Sequence, residues 1–169
     1  MKVEGVCRGF SLVEIMVSIA LFILLIGLVA ANSSFLNRYL VRAEMDKIYN
    51  VFRYLQKVAI VSGQDQILEF DIEKKQYKCG ERVFMLPSQV EFGVLPEVKG
   101  PPCSPKKIII SPVTFKGKKV SFYKDGIIKS GTIYITDASK HFMYAMSSSV
   151  AQVSYLRKYT YNGKWIPIT

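Results

Sequence analysis

Apolar residues fill the chain from Phe10 to Ala31 almost without interruption, and no charged residue falls between Glu14 and Arg38. A helix rises about 1.5 Å per residue, so some 20 residues of this kind match the ~30 Å hydrocarbon core of a bilayer. The spacing then changes. Val41, Met45, Ile48, Val51, Phe52, Leu55, Val58 and Ala59 recur three and four apart, and Arg42, Glu44, Asp46, Lys47, Arg53 and Lys57 fill other positions. That is a helix with one face against a core. Gly63 after Ser62 suits a left-handed helix stop. Together the two patterns predict one helix of about 50 residues, ~75 Å long, transmembrane in its first half and amphipathic in its second. Gly27 inside the apolar block lets a neighbouring helix approach closely.

After Gly63 the period shortens to two. From Ile67, Leu68, Phe70 and Ile72 alternate with Glu69, Asp71 and Glu73, the mark of a half-buried strand. Glu73-Lys74-Lys75 reads as a turn into a strand over Gln76–Cys79. Further strands are predicted at Val83–Leu86, Val90–Leu95, Ile108–Phe115, Val120–Tyr123, Ile127–Thr136, Phe142–Ser147 and Val150–Tyr161. Pro96 to Pro105 holds four prolines and Gly100 and is expected to be an irregular loop. Asp125-Gly126 and Asn162-Gly163 are hairpin-turn dipeptides. The fold class is therefore α+β: a long N-terminal helix, transmembrane plus amphipathic, packed on a C-terminal antiparallel β-rich domain.

At 169 residues the chain has room for one domain besides an anchor, and its net charge is +10. Such a charge permits contact with nucleic acid or anionic lipid. Lys116, Lys118, Lys119, Arg157, Lys158 and Lys164, with Tyr159, Tyr161 and Trp165 interleaved, are the candidates for phosphate contact and base stacking. A solvated, lysine-rich surface accounts for the same residues. The lone His141 has no evident acid or nucleophile partner, and Ser147–Ser149 reads as a strand end. No phosphate loop and no metal-ligand spacing occur, so no catalytic, metal or cofactor site is expected.

Glu14 is the one carboxylate inside the apolar block, where an unpaired charge is costly. In a plain signal anchor it would reach back to the interface. The basic leader is too short for a secretory signal and lacks a small-x-small cleavage site. Lys2 and Arg8 favour a cytoplasmic N-terminus, a bias weakened by Arg38 and Arg42, and place the C-terminal domain outside the cytoplasm.

The run Arg8-Gly9-Phe10-Ser11-Leu12-Val13-Glu14-Ile15 resembles the class III signal of type IV pilins and pseudopilins. The resemblance implies that a prepilin peptidase cuts after Gly9, that Phe10 is N-methylated, and that Glu14 pairs with the new N-terminal amine of a neighbouring subunit. It divides the chain into a leader (1–9), a transmembrane and assembly helix (10–36), the amphipathic half of that helix (37–63) and a β-rich globular domain (64–169). Farther on, Val120–Gly126, Ser130–Ile135 and Tyr161–Trp165 are similar to the C-terminal pattern of GspH/FimT minor pseudopilins. Lys164 replaces their more usual arginine, and Gln64–Ser104 is unmatched.

What this implies is a structural role: a minor subunit that assembles into, or primes, a type II secretion pseudopilus or a type IV pilus. The alternative is a DNA-binding minor pilin of a competence pilus. Implied partners are other pilin or pseudopilin subunits, the prepilin peptidase and an inner-membrane platform. The implied location is the bacterial inner membrane, crossed once, and then a filament. Loss of Cys7 with the leader leaves Cys79 and Cys103, joined as a disulfide worth ~3 kcal/mol or held as two separate buried thiols.

Overall fold

The computed structural model describes residues 11–31, 33–100, 107–149 and 155–168. Two compact units divide the chain, Met1–Leu36 and Asn37–Thr169. Helix α1 spans Leu12–Ala31 and helix α2 spans Ser33–Ser62. The helix expected from the sequence is described on either side of Asn32, which lies outside the described residues. Among the described residues no helix is long and apolar enough to cross a membrane.

Within the second unit, α2 presents Val41, Met45, Ile48, Phe52, Leu55 and Ala59 to the core, all buried. This is the face that the three-and-four spacing marks out. Gly63 ends the helix at φ +65°, the left-handed stop expected there. One residue departs from the pattern: Glu44, expected on the solvent side, is only 5% exposed.

Among the described residues nine strands follow: β1 Gln66–Asp71, β2 Gln76–Cys79, β3 Arg82–Met85, β4 Val90–Phe92, β5 Lys119–Phe122, β6 Gly131–Asp137, β7 Met143–Ser149, β8 Tyr155–Tyr161 and β9 Trp165–Ile168. They form two antiparallel sheets, ordered β3-β2-β1-β5 and β4-β6-β7-β8-β9. Leu68, Phe70, Tyr77, Val120 and Phe122 of the first sheet share one core with Val90, Phe92, Ile133, Ile135, Tyr144 and Met146 of the second and with the buried face of α2. Phe52 lies at its centre, with its ring 5.1 Å from that of Phe122, 6.3 Å from Phe115 and 6.4 Å from Phe70.

The second sheet is also covered on its other face. Tyr134, Met143 and Ala145 bury themselves there with Val98, while Val94, Leu95 and Ile109 pack over them. Burial on both sides explains why β6 is buried from Thr132 to Asp137 without alternation.

Several expected strands are shorter than the sequence suggests. β4 stops at Phe92 rather than Leu95, although Gly93 still donates its N–H to the Tyr134 carbonyl at 3.3 Å, and a Cβ at Gly93 would stand 2.7 Å from the Thr136 methyl. Ile108–Phe115 is not a strand. Pro112 has no N–H to give, and the Ser111 hydroxyl is engaged with the backbone of Val113. Isolated bridges, Lys99 to Ile108 and Val113 to Ile133, join it to its neighbours, and the Thr114 hydroxyl accepts the Thr132 N–H at 2.7 Å.

Ile127–Thr136 serves two sheets instead of one. The Tyr123 N–H donates to the Ile127 carbonyl at 2.8 Å and the Lys129 N–H to Ser121 at 3.0 Å, so this stretch lies along β5 before β6 begins at Gly131. Gly131 is needed at the crossing, since a Cβ would meet the Phe115 ring at 2.4 Å. The Asp125-Gly126 and Asn162-Gly163 turns are present, with both glycines at positive φ. Of Val150–Tyr161, the strand is described from Tyr155, and 150–154 lie outside the described residues.

Truncating the central ring should be expensive. Phe52→Ala is expected to cost about 3–5 kcal/mol, against about 0.5 kcal/mol or less for the exposed Val61→Ala, measured by urea unfolding of the detergent-solubilised chain.

Candidate functional site

Helix α1 carries the N-terminal chemistry. Its first turn holds Glu14, where the helix dipole favours negative charge. The Ser11 carbonyl accepts the Ile15 N–H at 3.2 Å, and the Ser18 hydroxyl donates to the Glu14 backbone oxygen at 2.7 Å. Leu12, Val13, Ile15, Met16, Val17 and Phe22 are all exposed, although they point in every direction around the axis. A helix apolar on all sides requires surroundings other than water. Gly9 and Phe10 lie outside the described residues.

The comparisons bear on this segment. Residues 6–30 match the prokaryotic N-terminal methylation motif, a span that includes Gly9, Phe10 and Glu14. The N-terminus is type IV pilin-like. Such a motif supports a substrate of prepilin peptidase that works among pilin subunits. No curated protein and no solved structure matches the chain. The GspH/FimT assignment therefore rests on its sequence pattern.

The chain holds a second carboxylate of interest. Glu44 is buried where α2 meets the first sheet. Its Oε1 accepts the Tyr77 hydroxyl at 3.3 Å and stands 3.2 Å from the Lys47 ammonium. Burial first, and the negative Glu44 second, push the Tyr77 hydroxyl well above the ordinary tyrosine range. Sequence reasoning placed Glu44 outside, yet it stands three residues after Val41 and four before Ile48, on the core-facing stripe. That spacing was the available signal.

The basic residues singled out for nucleic acid do not share one surface. Arg157 and Lys158 are adjacent on β8 and so point to opposite sides of the sheet. Lys158 faces α2, where its ammonium stands 2.5 Å from Asp46 Oδ1 and 5.0 Å from the Tyr49 ring centroid. Lys119 is paired with Glu69, which Lys78 also approaches at 3.1 Å. Lys119 and then Lys78 hold the Glu69 carboxyl below its usual range. Lys116 and Lys118 are exposed in a single tight turn, and Lys164 is exposed in the β8–β9 turn.

The aromatic residues are occupied as well. Trp165 Nε1 donates to the Gly100 carbonyl at 2.6 Å, and its ring packs edge-on against Tyr161. Tyr159 joins them against the outer core.

Cys79 is half-buried with a free thiol, which burial pushes up despite the nearby Arg82. Cys103 lies outside the described residues. His141 does have an acidic neighbour, contrary to expectation: its Nδ1 is 3.6 Å from Asp137 Oδ2. Asp137 Oδ1 also accepts the backbone N–H groups of His141 and Phe142 at 2.8 and 2.7 Å, so it fixes the β6–β7 turn. Ser148 donates its hydroxyl to the Lys129 carbonyl at 2.6 Å. It stands five residues along β7 from Met143, about 17 Å from that turn, so the two do not form a nucleophile and base. Among the described residues no group of His, Cys, Asp and Glu could hold a metal ion.

Clefts open on two sides of the β-rich unit. One, of about 890 Å³, opens on the outer face of the second sheet beside Ser147, Tyr155 and Arg157. The other, of about 900 Å³, lies between α2 and the β2–β3 hairpin.

Two measurements check these assignments. Lys158→Ala should lower unfolding stability by about 1 kcal/mol, whereas Lys164→Ala should stay within about 0.5 kcal/mol of the parent. The Tyr77 contribution is complete below the ordinary tyrosine value near 10 and is lost as pH rises above it, because the folded state holds the proton more tightly. Unfolding followed between pH 9 and 12 should show an alkaline loss of stability that is smaller in Tyr77→Phe.

Proposed function

We propose that this chain is a minor subunit of a type IV pilin-like filament, processed by prepilin peptidase between Gly9 and Phe10. The observation that carries the reading is the methylation motif at residues 6–30, set on a helix whose apolar side chains face outward all round. The sequence continues the apolar block past the described side chains at both ends, from Phe10 to Ala31. At about 1.5 Å per residue that length reaches across a hydrocarbon core. The chain resides first in the inner membrane, with its β-rich domain outside the cytoplasm.

Assembly follows from one charge. Glu14 cannot leave water cheaply without a cation. Cutting after Gly9 exposes the Phe10 amine on a neighbouring subunit, and this supplies it. Each pairing leaves one free amine and one free carboxylate at the ends of the stack, so growth does not close on itself. Once packed, the apolar surfaces of neighbouring α1 helices replace lipid around one another. The similarity of Val120–Gly126, Ser130–Ile135 and Tyr161–Trp165 to GspH/FimT subunits supports a minor rather than a bulk position, in a secretion pseudopilus or a pilus.

Glu14→Val tests the ion pair. The variant should insert and be cleaved as the parent is, yet its recovery in sheared filaments should fall at least about tenfold, the equivalent of 1.4 kcal/mol. Recovery equal to the parent would remove the ion pair from the account.

A further inference from the structure

Two unpartnered features of the β-rich unit complement each other. The first is an edge. Among the described residues β3 has β2 as its one neighbour in the sheet. The Leu86 N–H donates to Lys75 at 2.9 Å in the same register as the Phe84–Tyr77 and Arg82–Cys79 pairs. In an antiparallel ladder this phase turns the N–H and C=O groups of Val83 and Met85 away from β2. Beside that edge runs the 900 Å³ groove, with Val51, Tyr54, Leu55 and Val58 of α2 on one side and Phe84 on the other. Glu81 and Arg82 stand at its end, and the Cys79 thiol is part of its lining. An open strand edge next to an apolar groove is a template for one more strand.

The second feature is a strand without a sheet. Lys107-Ile108-Ile109-Ile110-Ser111 has the β-branched composition of a strand but, among the described residues, only the isolated bridge at Ile108. Ile109 packs on the outer core, while Ile108 is 72% exposed and Ile110 is 92% exposed. Two large apolar side chains on one side of a β-branched run, both in water, are an unsatisfied interface.

We propose that residues 107–111 of one copy of this chain dock along the β3 edge of a second copy, placing Ile108 and Ile110 in the groove between β3 and α2. Main-chain hydrogen bonds to Val83 and Met85 supply the pairing, and the isoleucines supply the apolar burial. With the strands parallel, Lys107 falls beside Glu81. The two surfaces lie at different places on each chain, so the contact is heterologous and leaves one of each free at the ends. It joins the β-rich units directly and does not require a processed N-terminus.

The test uses the full chain in detergent with Cys7 and Cys103 replaced by serine and a cysteine introduced as Ile110→Cys. This exposed position tolerates the change without loss of the fold. A bismaleimide linker about 10 Å long, matching two strand spacings, should join the new thiol to the native Cys79 of another copy. Denaturing gels should then show dimers, trimers and higher multiples, and adding Cys79→Ser should abolish them. Charge reversal gives a second readout: Lys107→Glu and Glu81→Lys should each reduce the ladder at least fivefold, and the double variant should restore it. Absence of cross-linked product, product that survives Cys79→Ser, or a dimer that never extends would overturn the proposal. The interface rests on none of the N-terminal chemistry, so the ladder is expected from cleaved and uncleaved chains alike: its absence would sink this interface and leave the filament reading standing, whereas a mature protein that keeps Met1 would sink the filament reading and leave this interface standing.

Discussion

Everything in the second unit depends on burying one face of α2. Its stripe from Val41 to Ala59 meets residues of both sheets at once, and Phe52 touches rings from β1, β5 and the segment that carries Phe115. Each large apolar side chain so buried contributes about 1.5–3 kcal/mol. Neither sheet covers its inner face without the helix. The charged contacts are arranged around this apolar seam: Asp46 to Lys158 ties α2 to the second sheet, and Glu44 to Tyr77 ties it to the first.

Helix α1 poses the opposite problem. Its side chains are as apolar as those of the α2 stripe, but they surround the whole helix, so no single packed face can satisfy it. Whatever covers α1 must be external, and lipid and neighbouring copies of the same helix offer similar surroundings. Transfer from one to the other then costs little in apolar terms. In the proposed filament the carboxylate of Glu14 would distinguish the two environments, because only a processed neighbour would bring a cation.

The α2 stripe and the first hairpin were legible in the sequence because each has a single buried side, and hydrophobic spacing reports one-sided burial directly. Legibility fails where burial is two-sided or a polar group pairs inside. β6 carries no alternation, since loops cover the outer face of its sheet. Ile127–Thr136 looks like one strand although its first residues belong with β5. Ile108–Phe115 has strand composition, yet Pro112 and Ser111 withhold the ladder. Glu44 was assigned to solvent by its charge, while its spacing put it on the core stripe. The N-terminal motif lies at the other extreme: the match at residues 6–30 is made on sequence alone, without reference to the fold.

The mass and N-terminal sequence of the mature protein extracted from membranes test the central claim most directly. A chain that begins at methylated Phe10 and lacks Met1–Gly9 is the predicted result. An intact Met1, or a cut beyond Ala31, would contradict the account, for in either case Glu14 would never meet the amine that cleavage is held to create.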